Sequence, residues 1–330
     1  MRAFAVAFAA LLAVATPAAG GPGARTRGEL TWVTWSPGPT ILFESRQGVF
    51  SIRGDGSAMR RIAPPTMFYA SWAPSGRRIV LGGAEDTGLW TTTPSATSPK
   101  RIRRGQAVLP SWSPTGDRIA FFGNRGVVVA AADGSRALRV AAGGSAIFTG
   151  PVWSPNGETV AFTRCLRRVE EGDVCESYVR GSGVFTASSR RAGAVKLRAY
   201  GHCPSYSRRG KLAFRGGDGV RVSNGDGSGQ RVVIRASTHC PTWSPDGRLI
   251  AAEVERGVVV RGASLRLFRL PRENAMCPKP VTAPVAWSPD SRFVAVAREL
   301  TDCGSRNTWR LYVIRIRDGQ SRIVVRSPTP

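Results

Sequence analysis

Residues 243–251 read Trp243-Ser244-Pro245-Asp246-Gly247-Arg248-Leu249-Ile250-Ala251. Pro245 has no N–H for a strand ladder, so it closes the strand that runs from Cys240 to Trp243. Asp246-Gly247 makes a tight hairpin turn, because both residues tolerate positive φ. The chain then forms short runs from Leu249 to Val254, Gly257 to Arg261 and Leu265 to Leu270. These runs are rich in apolar and β-branched residues and too short for helices, so the unit is four strands.

Working outward, the phrase recurs at Trp35-Ser36-Pro37-Gly38, Trp72-Ala73-Pro74-Ser75-Gly76, Trp112-Ser113-Pro114-Thr115-Gly116, Trp153-Ser154-Pro155-Asn156-Gly157 and Trp287-Ser288-Pro289-Asp290-Ser291. A degenerate copy stands at Tyr206-Ser207-Arg208-Arg209-Gly210. The anchor aromatics step by 37, 40, 41, 53, 37 and 44 residues, a mean of 42. Elsewhere the third and fourth strands are joined by a second Asp-Gly turn, at Asp55-Gly56, Asp133-Gly134, Asp226-Gly227 and Asp318-Gly319. Four strands repeated every 40 or so residues predict a β-propeller blade, and seven copies predict an all-β, seven-bladed propeller of four-stranded antiparallel blades. The first strand of the first blade is expected at Leu30 to Trp35. The recurrent Trp is large enough to fill the gap between blades.

At these residues the chain resembles the TolB-like, WD-repeat-like propeller repeat of many exported bacterial proteins. The resemblance covers about 300 residues. It is not the eukaryotic WD repeat proper, because the closing Trp-Asp and the earlier Gly-His are not repeated here. The repeats leave no room for the amino-terminal α/β domain of TolB or for a peptidase domain with a G-x-S-x-G elbow.

Residues 1–20 read as a secretory signal peptide: Arg2, an apolar stretch from Ala3 to Ala15, and the small-residue exit Thr16-Pro17-Ala18-Ala19-Gly20. A short linker at 21–29 and one propeller domain at 30–330 complete the expected organisation. The mature protein is expected outside the cytoplasm, in the periplasm, the cell envelope or the medium. The six cysteines agree with that, since an even count in an exported chain favours disulfides, and no C-x-x-C pair is present.

In a blade, the second-to-third loop and the connection to the next blade lie on one face of the disk. Cys165, Cys175 and Cys303 fall in second-to-third loops, and Cys203, Cys240 and Cys277 in connections between blades. Six cysteines allow 15 pairings. Local placement favours Cys165–Cys175, Cys203–Cys240 and Cys277–Cys303. The same face carries the longer loops of repeats four to seven, and binding residues concentrate on loops held by a rigid scaffold. Ligand contacts are therefore expected at Arg164, Arg167, His202, His239 and the connection from Arg272 to Lys279.

The net charge is +25, and all but four of the 47 basic residues are arginine. Arginine-rich genome composition and a polyanionic partner both account for this. Arginines recur in the fourth strands, the outer edge of each blade, where charge blocks edge-to-edge association. The two histidines are too few for a catalytic metal, which takes three protein ligands. Neither a nucleophile elbow nor a phosphate loop is present. No cofactor, no metal and no nucleic-acid partner is expected, and no apolar run after residue 20 is long enough to span a membrane. The sequence thus points to an exported, monomeric, non-enzymatic scaffold that recognises a protein or envelope ligand on its loop-rich face. Two other readings stand beside it: a propeller-fold polysaccharide lyase or hydrolase, and an electrostatic binder of anionic envelope polymers.

Overall fold

The computed structural model describes residues 24–25, 31–83, 86–142, 150–164, 182–236, 238–270, 285–301 and 307–327. Seven antiparallel meanders, each of four consecutive strands, form a seven-bladed propeller. Blade one consists of Thr31–Trp35, Thr40–Ser45, Gly48–Arg53 and Arg60–Ala63. Blades two to seven occupy 68–103, 108–142, 152–199, 202–234, 242–269 and 286–327. The first strand of each blade is innermost and the fourth is the outer edge.

Three local devices explain the repeated phrase. In blade six the buried Ser244 hydroxyl accepts the Leu249 N–H at 2.9 Å and donates to the Asp246 carboxylate. Ser288 repeats this with Phe293 and Asp290, and Ser154 with Thr159 and Asn156. The turn glycine is left-handed, with φ near 70° at Gly76, Gly116, Gly157, Gly210 and Gly247. Blade seven has Ser291 there instead, at φ 60°, and its hydroxyl accepts the Asp246 N–H of blade six. In the Asp-Gly turns, Asp55, Asp133 and Asp226 each accept the N–H and the hydroxyl of the serine two residues on. Glycine also opens third strands. A Cβ on Gly257 would lie 2.0 Å from the Phe268 carbonyl oxygen of the fourth strand, so only glycine lets that strand approach.

Seven apolar clusters fill the seven blade interfaces among the described residues. Trp72 packs with Leu42 and Val49 of blade one and with Met67 of the connection, and Trp112 with Val80 and Leu89 of blade two. Trp153 and Trp287 repeat this against blades three and six. The anchor tryptophan therefore does fill the gap between blades. The fourth–fifth interface is the smallest cluster, with Tyr206 in the tryptophan position.

The four antiparallel strands of blade one come from the amino-terminal side and the four of blade seven from the carboxy-terminal side. Their interface holds Phe43, Ile52, Trp309, Leu311 and Val325, and the Arg322 guanidinium adds a hydrogen bond to the Gly54 carbonyl. Within the stretch read as a linker, Ala24–Arg25 forms a short strand parallel to the outer edge of blade seven. No helix among the described residues is long and apolar enough to cross a membrane.

Candidate binding site at the channel mouth

In blades one to six the chain reaches the axis three residues before the anchor aromatic, within the inner strand or just ahead of it. In blades one to six that position is held by Trp32, Tyr69, Leu109, Gly150, Cys203 and Cys240. The chain bulges there. Register shifts separate Thr31 from Val33, Phe68 from Ser71, Val108 from Ser111 and His202 from Ser205. Trp32, Tyr69, Leu109 and Cys203 take left-handed φ values of 43°, 57°, 54° and 58°. Such residues rarely adopt this conformation, and a bulge re-aims the side chain it carries. All six of these residues line one axial cavity of about 1030 Å³.

The cavity wall is mainly apolar and proline-rich. Pro110, Pro151, Pro204 and Pro241 line it at matched places, one residue on from the bulge position. Glu44 and Arg46 are the sole charged side chains among the described residues that line it. Across the axis from Trp32 and Tyr69, Cys203 and Cys240 form a disulfide with a Cα–Cα distance of 5.1 Å. It ties blade five to the entry of blade six. A bridge closing a loop of this length stabilises by about 2–4 kcal/mol.

The expected pairing of Cys203 with Cys240 is therefore present. The placement of Cys203 in a connection is corrected: with His202 it belongs to the first strand of blade five, His202–Tyr206. The bulge hides this, because it breaks the strand alternation at the cysteine. Cys165, Cys175, Cys277 and Cys303 lie outside the described residues, as do Arg167, Arg272 and Lys279.

Arg164 ends the second strand of blade four, with its guanidinium 4.0 Å from the Phe185 ring centroid. The neighbouring Thr163 hydroxyl accepts the Cys203 N–H at 3.0 Å, so Arg164 sits where blade four meets blade five. His202 pairs across the sheet with Arg215. His202 and His239 are both half-buried and close enough to affect each other's ionisation. Burial, then the Arg215 cation, pushes both imidazoles down to about 4, with smaller contributions from His239 on His202 and from Arg298 on His239. Both rings are neutral at pH 7. No group of three or more His, Cys, Asp or Glu side chains suited to a metal ion occurs among the described residues.

An expected pH effect follows. An unfolded chain protonates histidine near pH 6.5, whereas the folded chain holds these two neutral to about pH 4. The unfolded state then binds more protons, so stability is lost as pH falls from 6.5 towards 4. Urea midpoints at pH 7, 6 and 5 are expected to fall less steeply for the His202→Gln/His239→Gln variant than for the natural sequence. Parallel curves would show that the two rings titrate alike in both states.

Sequence reasoning missed Glu44, Trp32 and Tyr69. Glu44 is the last residue but one of the second strand of blade one, buried to 6% exposure. Its Oε1 accepts the Ala70 N–H of blade two at 3.0 Å. The Ala70 carbonyl in turn accepts the Trp32 indole N–H at 3.0 Å. Trp32 stands edge-on to Tyr69 at 5.6 Å between centroids, and Phe68 edge-on to Tyr69 at 5.0 Å. The available signal was positional: aligning the seven repeats on their anchors places two aromatics at the bulge position.

No family model matches the chain, and no curated protein matches it. Solved structures do. The β-propeller domain of the Trilobed protease from Pyrococcus furiosus aligns with a TM-score of 0.64 at 9% identity, over 91% of this chain and 98% of that one. A chain of the Mitotic Checkpoint Complex aligns with a TM-score of 0.60 at 15% identity, over 96% of this chain and 99% of that one. The chain has the β-propeller fold. TolB from Acinetobacter baumannii aligns with a TM-score of 0.48 at 13% identity, over 92% of this chain and 67% of that one. The likeness to the Trilobed protease propeller and to the Mitotic Checkpoint Complex chain is one of fold.

Proposed function

We propose that this propeller is an exported, non-enzymatic scaffold that recognises a protein or cell-envelope ligand with the channel face bearing His202 and His239. The axial cavity carries the reading. Its wall is drawn from all seven blades, is mainly apolar, and is held in shape by strained bulges and a disulfide. Concave, largely apolar, pre-formed sites with few polar groups are the usual form of a binding site. Export is supported by the signal-like residues 1–20 and by the disulfide, which persists in oxidising compartments. The expected organisation stands with it: a signal peptide at 1–20 and one monomeric propeller domain at 30–330.

Simultaneous alanine replacement of Arg164, Arg167, His202 and His239 tests the proposal. The variant is expected to lose its cross-linked partner in the native envelope fraction while its unfolding temperature stays nearly unchanged. Retention of the same partner would move the site to the outer edge strands, where Arg60, Arg61, Lys100, Arg103 and Arg139 are exposed.

A further inference from the structure

We propose that the corner of the axial cavity formed by Glu44, Trp32, Phe68 and Tyr69 binds an organic cation, an ammonium or guanidinium group carried on an apolar stem. All four side chains line the cavity. Aromatic faces attract cations, more strongly as water is excluded, and a carboxylate adds the counter-charge.

The corner is pre-formed. The Ala70 peptide ties Glu44 on one side and the Trp32 indole on the other. Trp32 is braced edge-on against Tyr69, and Tyr69 against Phe68. Little ordering is therefore left to be done on binding. Beyond the corner, the apolar and proline-lined wall accommodates the stem.

A structural role alone does not call for a carboxylate at this position. In blade four the matched residue is Thr163, whose hydroxyl accepts the Cys203 N–H of the next blade at 3.0 Å. A hydroxyl thus suffices to cap the bulge of the following inner strand. In blade six the matched residue is Glu253, and there a cation, Arg298, faces it at 3.1 Å. For Glu44, the influences on the carboxyl are burial and the backbone N–H groups of Ala70 and Tyr69, with no cation among them from the described residues. The Tyr69 phenol is the titratable neighbour, itself pushed up by burial and by Glu44. Arg46, the other charged side chain of the lining, is exposed at the tip of the second-to-third turn.

Burial pushes the Glu44 carboxyl up to about 8, so it is protonated at pH 7 without ligand. A cation that needs the carboxylate displaces that proton. Its affinity therefore rises with pH up to about 8, while that of a neutral isostere does not.

The test is calorimetric titration of the full chain with phenethylammonium, 2-phenylethanol and 3-phenylpropionate. This inference does not rest on the scaffold reading, since the probes bind or fail whatever the natural partner is. Phenethylammonium is expected to bind most tightly and to gain at least tenfold in affinity between pH 6 and pH 8. At pH 7 its binding heat is expected to differ between phosphate and Tris buffers, because a proton is released. Glu44→Gln keeps an acceptor for the Ala70 N–H. It is expected to weaken the cation at least tenfold and leave the alcohol unchanged. Cation and alcohol binding alike, a cation affinity flat from pH 6 to pH 8, or no cation binding at 10 mM would each overturn the proposal. The pH series on the natural sequence decides the matter even where Glu44→Gln folds poorly.

Discussion

Replacing Trp309 by alanine is expected to destabilise the propeller by about 3–5 kcal/mol. Trp309 lies in the third strand of blade seven at 1% exposure, the largest of the fully buried side chains. It packs in the cluster that joins blade seven to blade one. Every other interface is also held by direct chain continuity between consecutive blades. This one joins the two ends of the described chain through packing, the Arg322 hydrogen bond to Gly54 and the short pairing of Ala24–Arg25 with the outer strand of blade seven. The indole Nε1 has no hydrogen-bond partner, so the loss is one of packing and cavity formation alone. Urea unfolding followed by fluorescence measures it, and Trp309→Phe is expected to recover much of the loss. A cost below about 1 kcal/mol would show that the seam collapses around small residues and is not a jigsaw interface.

Glu253→Ala is expected to cost a comparable amount, about 3–5 kcal/mol, because it strands a buried arginine. Glu253 is 2% exposed and meets the Arg298 Nε at 3.1 Å, joining the second strands of blades six and seven. Arg298 is itself tucked in, and it also donates to the Glu255 carbonyl. Burial outweighs the Arg298 cation and pushes the Glu253 carboxyl up to about 8, and its Oε1 is the buried acceptor that meets the guanidinium. The Glu253→Ala/Arg298→Leu pair is expected to be more stable than Glu253→Ala alone, since it removes the uncompensated charge. A double variant less stable than the single one would mean that Arg298 stabilises by some contact other than the ion pair.

What could be read from the sequence follows from where the physics is local. Turn chemistry is local. Pro245, Asp246-Gly247 and the Asp-Gly pairs set strand ends without help from the rest of the chain, and the strands of blade six fall within two residues of their expected places. The degenerate Tyr206 copy also forms a blade, because Ser207 and Gly210 keep the turn even though proline is lost. The Cys203–Cys240 bridge was legible because matched positions in adjacent repeats come together in a ring. The channel lining was not. Whether Trp32 faces the core or the axis depends on a one-residue bulge, and alternation carries no sign of a bulge. Glu44 looks like the polar end of an apolar strand, and only the fold brings Ala70 of the next blade to it.

The central claim is that the working surface is the channel face and not the basic rim. The most direct measurement is site-specific photo-cross-linking in the native envelope, with a photoreactive residue at His202 in one variant and at Arg103, on the outer strand of blade two, in another. A discrete adduct is expected from position 202, competed away by excess natural protein, and none of defined size from position 103. A defined adduct from position 103 with none from position 202 would contradict it and place the partner on the arginine edge.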